Sequence, residues 1–95
     1  MATPEQLAAL RQHVIDWLDD EIHFGDAQDL IGNDDEKSFL ANGILDSLGF
    51  VKLILHLENS CHVRLDPKRL TPDNFDSLGR IVRFVSSVPG FRLPA

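Results

Sequence analysis

Ser47 is the side chain in this sequence best placed to undergo chemistry, because it lies where a loop gives way to an apolar helix. Asp46 and Ser47 precede that helix, and both residue types accept hydrogen bonds from the free N–H groups of a first helical turn. A hydroxyl here also stands beside the positive end of the helix dipole, which favours a phosphodiester on its oxygen. We therefore predict covalent modification at Ser47, with Asp46 as the flanking residue.

The helix after Ser47 has more apolar surface than a surface helix needs. Its inner stripe consists of Phe50, Leu53, Ile54, Leu57 and Cys61. The opposite side mixes apolar with polar side chains, namely Leu48, Val51 and Leu55 with Lys52, Glu58 and Asn59. A second apolar face has to be covered by another element or offered to a partner.

Segment 43–53, Gly-Ile-Leu-Asp-Ser-Leu-Gly-Phe-Val-Lys-Leu, resembles the Asp-Ser-Leu signature of acyl carrier proteins. It is most similar in pattern to free-standing aminoacyl and D-alanyl carrier proteins, which share the Gly-aliphatic-Leu-Asp-Ser start and the later Gly. The resemblance extends from Pro4 to about Val85. It implies an all-α, four-helix acyl-carrier-protein-like bundle, with three long helices, one short helix and a long loop between helices one and two.

The resemblance also implies a cofactor and partners. Ser47 would carry 4′-phosphopantetheine, attached by a phosphopantetheinyl transferase, and the thiol of that arm would hold an acid as a thioester. An amino-acid- or acyl-activating ligase would load the arm and an acceptor enzyme would unload it, while the carrier itself catalyses nothing. The positions that contact such enzymes in the family correspond here to Leu48, Val51, Lys52, Leu55, Glu58 and Asn59.

The cargo and the need for modification stay open at this level. Fatty-acid carriers usually have acids where this chain has Lys52 and Asn59, which argues against service to a fatty acid synthase. An aminoacyl cargo is favoured, and an acyl carrier for fatty acid or polyketide synthesis is an alternative. An unmodified helical interaction domain, with Ser47 only a cap, is the competing function. A serine hydrolase is excluded because Leu45 and Gly49 do not form the Gly-x-Ser-x-Gly pattern around Ser47.

Asp-Ser-Leu occurs a second time, at residues 76–78. The helix that follows Ser77 has one apolar stripe and a basic outer face with Arg80 and Arg83. Ser77 is therefore predicted to cap that helix, which leaves Ser47 as the modified serine.

Composition limits the class of protein. At 95 residues the chain suits one domain with a modest core, and the net charge of −6 disfavours nucleic acid and anionic membranes as partners. The single Cys61 cannot form an internal disulfide, and no apolar run is long enough for a signal peptide or a membrane span. We predict a cytoplasmic monomer, with a carrier domain at residues 1–88 and a loose tail at residues 89–95.

The first helix is predicted to start at Thr3-Pro4, with Gln6 completing a capping box. Its inner stripe is Leu7, Leu10, Val14, Trp17 and Leu18, flanked by Ile15 and Ile22. Its outer face is predicted to be solvated and consists of Arg11, Gln12, Asp16, Asp19 and Asp20.

The loop from His23 to Asp46 is longer than most connections in compact domains. We predict that apolar anchors hold it over the helix ends, namely Leu30, Phe39, Leu40, Ile44 and Leu45. Asp34-Asp35-Glu36 reads as a solvated acidic turn, because it lacks the alternating ligands of a hard-cation loop.

The remaining residues add structure but no further chemistry. Pro67 disfavours helix at Asp66, and Thr71-Pro72 is predicted to begin one short helical turn. No metal site is predicted, because His13, His23, His56 and His62 do not fall at three- or four-residue spacing from one another. Solvent or core positions account for these histidines, and Cys61 is predicted to be a small buried residue.

Overall fold

The computed structural model describes residues 3–23 and 26–93. At Ile22 and His23 it describes the backbone and not the side chain. Its α-helices are α1 (Pro4–Leu18), α2 (Ala27–Ile31), α3 (Ser47–Ser60), α4 (Pro72–Phe75) and α5 (Leu78–Ser86). A π-helical turn at Asp19–His23 continues α1, and a 3-10 turn at Pro67–Arg69 precedes α4.

The predicted all-α bundle is confirmed, and the described ranges contain no strand. The long helices α1, α3 and α5 and the short α4 are those expected from the sequence. The short helix α2 inside the long loop is an addition to the predicted four. No helix in the described part of the chain is long and apolar enough to cross a membrane.

The start of α1 has the predicted capping box. Thr3 Oγ1 accepts the Gln6 N–H at 3.1 Å, and Gln6 Oε1 accepts the Thr3 N–H at 2.9 Å. Two of the N–H groups that every helix start leaves without an intrahelical partner are thereby satisfied by local sequence.

The core forms where the apolar stripes of the long helices meet. Leu10, Val14 and Leu18 of α1 are fully buried, and Leu7 is partly buried against them. Phe50 and Ile54 are only half-buried, because the inner stripe of α3 has an open edge. The other fully buried side chains of the long helices include Ile15, Leu53, Leu57, Leu78, Ile81 and Val85.

Two of the five apolar anchors predicted for the long loop are not buried. Phe39, Ile44 and Leu45 are buried, but Leu30 and Leu40 are 38% and 45% exposed. Leu30 points outward because Ala27 and Ile31 take the inner side of α2. Leu40 is exposed for a different reason, because it borders an open groove.

Ion pairs also hold the loop. Asp34 and Glu36 are exposed, as predicted for a solvated acidic turn, but Asp35 and Arg11 are half-buried, so the prediction of a solvated Arg11 is wrong. Arg11 donates two hydrogen bonds to the Asp35 carboxylate, at 2.8 and 3.0 Å. Arg83 of α5 donates to Glu36 at 2.7 Å. The hydrogen bonds from these guanidinium groups lower the pKa of each carboxyl. The loop is thereby tied to both terminal helices of the bundle.

Two further expectations for solvated or loose residues also change. Asp19, predicted to be solvated, accepts the Ala27 N–H at 2.8 Å and so links the π-helical turn to α2. In the predicted tail, the Arg92 N–H donates to the Cys61 carbonyl at 2.9 Å, and Phe91 and Leu93 pack against the core. The last two residues of that tail, 94 and 95, lie outside the described residues.

Candidate modification site

Ser47 is the first residue of α3, and its position follows from the cap before it. Asp46 has an extended backbone, and its Oδ1 accepts the Gly49 N–H at 2.7 Å. Because Asp46 does the capping, the Ser47 hydroxyl is left exposed, with no hydrogen-bond partner among residues 3–23 and 26–93. The hydroxyl therefore lies free in solvent at the positive end of a helix of 14 residues.

The junction that presents Ser47 is tightly packed on its inner side. Leu45 is 2% exposed and lies against Gly49, where a Cβ atom would come within 2.5 Å of Leu45 Cδ1. The absence of a side chain at Gly49 therefore lets Leu45 pass under the first turn of α3. The backbone between Leu45 and Gly49, which includes Ser47, has little freedom to move inward.

An open apolar groove of about 290 Å³ lies beside Ser47. One wall comes from α3, one from the residues around the start of α4, and Leu40 contributes from the long loop. None of the lining side chains is charged. They are Leu40, Ser47, Phe50, Val51, Ile54, Leu70, Thr71, Pro72 and Phe75.

The second apolar face of α3 is exposed, as the sequence predicts. Leu48, Val51 and Leu55 are 64%, 53% and 55% exposed, which is unusual for three large apolar side chains on one helix. Lys52 and Asn59 are exposed on the same side. These five residues, which we call the α3 face, lie along one side of the helix that begins with Ser47.

Glu58, the sixth position predicted to contact partners, makes a contact within the fold. Its side chain is half-buried, and its Oε2 accepts the Leu65 N–H at 3.0 Å. This bond ties the end of α3 to the extended link that follows. Its carboxylate is therefore less available to a partner than the side chains of the α3 face.

The second Asp-Ser-Leu segment takes the opposite arrangement. Ser77 is 1% exposed, and its Oγ accepts the Arg80 N–H at 3.1 Å, so it caps α5 as predicted. Leu78 is fully buried, whereas Leu48 is exposed. The same three residue types therefore give a free hydroxyl beside an apolar surface at one place and a buried cap at the other.

Over 79 residues the chain is 35% identical to a D-alanyl carrier protein of Streptococcus gordonii (strain Challis), and this match covers 83% of the chain and 94% of that protein. The chain belongs to the D-alanyl carrier protein family. The resemblance predicted from segment 43–53 is thus confirmed by a match over most of the chain. No family model matches the carrier, and no solved structure gives a significant match to it.

Two histidines of the carrier form a pair that the sequence spacing did not reveal. His13 of α1 and His56 of α3 are half-buried, with their Nε2 atoms 2.7 Å apart. The ring centres are 4.9 Å apart, and the ring planes are inclined by 9°. This centre-to-centre distance is nearly the largest possible for two imidazole rings whose Nε2 atoms lie 2.7 Å apart. The rings therefore meet edge to edge, with one proton between the two nitrogens. Burial lowers the pKa of both imidazoles.

Neither this pair nor Cys61 supplies a metal site or a nucleophile. No cluster of three or more metal-ligating side chains occurs among the residues that the structure describes. Cys61 is fully buried, and burial raises the pKa of its thiol to about 11. His62 is exposed and has a left-handed backbone with φ of 56°. The side chain of His23 is not among those that the structure describes.

Sequence reasoning missed two parts of the candidate site. Leu40 was predicted to anchor the loop, but it forms a wall of the groove beside Ser47. Asp76 was noted only as the first residue of the second Asp-Ser-Leu segment, but its carboxylate contacts the loop at Ser38 and Leu40. No local signal reveals these contacts, because they join residues 36 or more positions apart.

Proposed function

We propose that this chain is a phosphopantetheine-dependent carrier, which holds an aminoacyl group as a thioester on an arm attached at Ser47. The observation that carries the proposal is the free, exposed Ser47 hydroxyl at the start of α3, beside an apolar groove and the exposed α3 face. The family relationship supports the carrier role, and the relative's name supports an aminoacyl cargo.

The residues around Ser47 fit a phosphodiester. Asp46 occupies the Gly49 N–H, while the N–H groups of Ser47 and Leu48 have no intrahelical acceptor and point toward the helix start. These donors and the helix dipole stabilise a negative charge on the serine oxygen. The uncharged groove alongside offers apolar contact to the part of the arm that follows.

Attachment needs an external transferase, because no general base contacts the Ser47 hydroxyl among the described residues. In that enzyme's site, Ser47 Oγ attacks the phosphorus of coenzyme A that bears the pantetheine group. An O–P bond forms, the pyrophosphate bond breaks, adenosine 3′,5′-bisphosphate leaves, and the hydroxyl proton passes to the transferase. When attached, the arm supplies a thiol that holds the cargo as a thioester.

An aminoacyl cargo is expected to stay outside the bundle. An aminoacyl ammonium needs a counter-charge when it leaves water, and none of the groove residues is charged. The core also lacks an inward carboxylate, since Ser77 is the buried polar side chain found in the described residues. Amide chemical shifts of the loaded and free-arm forms test this: changes at Leu10, Leu57 and Ile81 would contradict an exterior cargo.

The attachment site is tested by intact mass after incubation with coenzyme A and a broad-specificity phosphopantetheinyl transferase. Wild type is expected to gain the mass of one phosphopantetheine, and Ser47→Ala to gain nothing. Ser77→Ala is the matched control: it loses a buried cap, with a cost of about 1 kcal/mol, but it keeps the modification. An unmodified wild type overturns the proposal and leaves an interaction domain that docks partners through the α3 face.

The docking role of the α3 face is tested by loading. Lys52→Glu and Leu55→Ser are expected to raise the KM of a purified amino-acid-activating ligase for the carrier, because both residues are exposed on that face. Arg64→Glu is the control, an equal charge reversal at an exposed position outside α3. Helicity should be unchanged in all three variants. Loss of helicity in Leu55→Ser would identify this side of α3 as core.

A further inference from the structure

Asp76 stands between α4 and α5 and holds three consecutive residues of the long loop. Its backbone carbonyl accepts the Phe39 N–H at 2.8 Å, and its Oδ1 accepts the Leu40 N–H at 2.9 Å. Its Oδ2 accepts the Ser38 hydroxyl at 2.5 Å. Charge-assisted hydrogen bonds of this kind are stronger than neutral ones. One residue therefore fixes the point at which the loop turns toward Ser47.

Hydrogen bonds within the loop pass this position on toward α3. The Phe39 carbonyl accepts the N–H groups of Ile44 and Leu45, at 2.9 and 3.4 Å, and Gly43 takes a left-handed backbone with φ of 67° to allow the turn. Leu45 is two residues before Ser47. A shift of residues 38–40 is thus transmitted to the segment that enters α3.

The same contacts place one wall of the groove. Leu40 lines the groove together with Ser47, although it is 45% exposed and has little packing to keep it there. Its backbone is instead held by the Asp76 carboxylate. This explains why a predicted apolar anchor lies at the surface: a polar contact fixes its backbone.

The Asp76 carboxylate has no other structural duty in the described part of the chain. The cap of α5 is the Ser77 hydroxyl, and the Asp76 N–H donates to Pro72 in α4. Removal of the carboxylate therefore releases Ser38 and Leu40, on either side of Phe39, but leaves the backbone bond to Phe39 and the hydrogen bonds of both neighbouring helices in place.

We propose that Asp76 is a positioning residue for the modification of Ser47, acting through the loop segment 38–45. The inference rests on the proposed function. With Asp76 in place, the groove wall and the entry to α3 are preorganised for the transferase. Without it, the transferase must order the loop itself before the hydroxyl reaches the phosphorus.

Initial rates of phosphopantetheine transfer test the role of Asp76. For Asp76→Ala we expect a kcat at least about tenfold below wild type, because small misplacements of a reacting group cost one to two orders of magnitude in rate. KM for the carrier should change little, since the α3 face is intact. Asp76→Asn should restore most of the rate, because its amide oxygen accepts from Leu40 and its NH₂ donates to the Ser38 oxygen. Asp73→Ala, which removes an exposed carboxylate of α4, is the matched control.

Hydrogen exchange separates this inference from the proposed function. In Asp76→Ala, the amides of Leu40, Ile44 and Leu45 should exchange faster while those of Ile81 and Val82 in α5 keep their protection. Should Asp76→Ala fail to fold, Ser38→Ala removes one of the two carboxylate contacts and must show an intermediate loss of kcat. A folded Asp76→Ala with wild-type kcat, or no recovery in Asp76→Asn, overturns the positioning role. An unmodified wild type instead overturns the proposed function, whatever the exchange rates.

Discussion

Mild acid is expected to weaken the fold through the histidine pair that joins α1 to α3. The edge-to-edge contact of His13 and His56 leaves room for one proton between their Nε2 atoms, so the folded pair takes up one added proton at most. The surrounding groups do not change this limit. The Ser60 hydroxyl and the Trp17 ring near His56 are uncharged. The Asp16 and Glu21 carboxylates raise the pKa of His13 and His56, respectively, by less than burial lowers it.

The size and direction of the effect follow from proton counting. In the unfolded chain each imidazole has its ordinary pKa of 6.5, whereas in the folded protein both pKa values are lower. Below pH 6.5 the unfolded state therefore binds more protons than the folded state, and the free energy of unfolding falls as the pH falls. Each excluded proton contributes a slope of up to about 1.4 kcal/mol per pH unit. Because the folded pair takes up at most one added proton while the unfolded chain binds two, we expect the exclusion of one proton and a slope of about 1.4 kcal/mol per pH unit near pH 5.

Urea unfolding between pH 7.5 and pH 5.0 measures this slope. The interval lies above the range in which Asp35 and Glu36 lose their ion pairs, because the pKa of each carboxyl is lowered. The double variant His13→Gln with His56→Gln should lose most of the pH dependence, while His62→Gln, at an exposed position, should keep it. Equal slopes in wild type and the double variant would refute the reasoning. So would NMR evidence at pH 5.0 that both Nε2 atoms are protonated while the contact persists.

Two other predictions concern glycines and the buried thiol. Gly49→Ala should lower the free energy of unfolding by about 1–2 kcal/mol, because overpacking against the buried Leu45 outweighs the gain in helix propensity. Gly79→Ala should leave the urea midpoint close to wild type, because the atoms nearest to its Cβ belong to the flexible, exposed side chains of Glu36 and Arg83, which can move aside. Equal losses in the two variants would contradict this contrast. Cys61, with a pKa of about 11, should resist a thiol reagent at pH 8 until urea unfolds the chain, and rapid labelling of native protein would show that the thiol is accessible.

The parts of the fold that the sequence predicts are those set by neighbours along the chain. The Thr3 and Gln6 capping box and the Ser77 cap are decided within one helical turn. The inner stripes follow from the helical period. The same period also showed that α3 has a second apolar face besides its inner stripe. For the candidate site, the same local logic placed Ser47 at the start of α3 and the α3 face in solvent.

The contacts that the sequence does not predict join distant segments. Arg11 pairs with Asp35 across 24 positions, and His13 meets His56 across 43. Such pairs depend on how the helices pack, and helical spacing tests only side chains on the same helix. Leu40 was mistaken for an anchor for the same reason: hydrophobicity predicts burial, but a distant carboxylate decided where this backbone runs.

The tetrapeptide Asp-Ser-Leu-Gly occurs twice, at residues 46–49 and 76–79, and only folding makes the two copies different. In an extended peptide both serines would meet a reagent on equal terms. In the native chain one hydroxyl is offered to water and the other is 1% exposed. Any selectivity between them therefore depends on the conformation of the chain, and it lasts only while the first turn of α5 is folded. Conditions that fray this turn would expose a second serine hydroxyl in the same molecule.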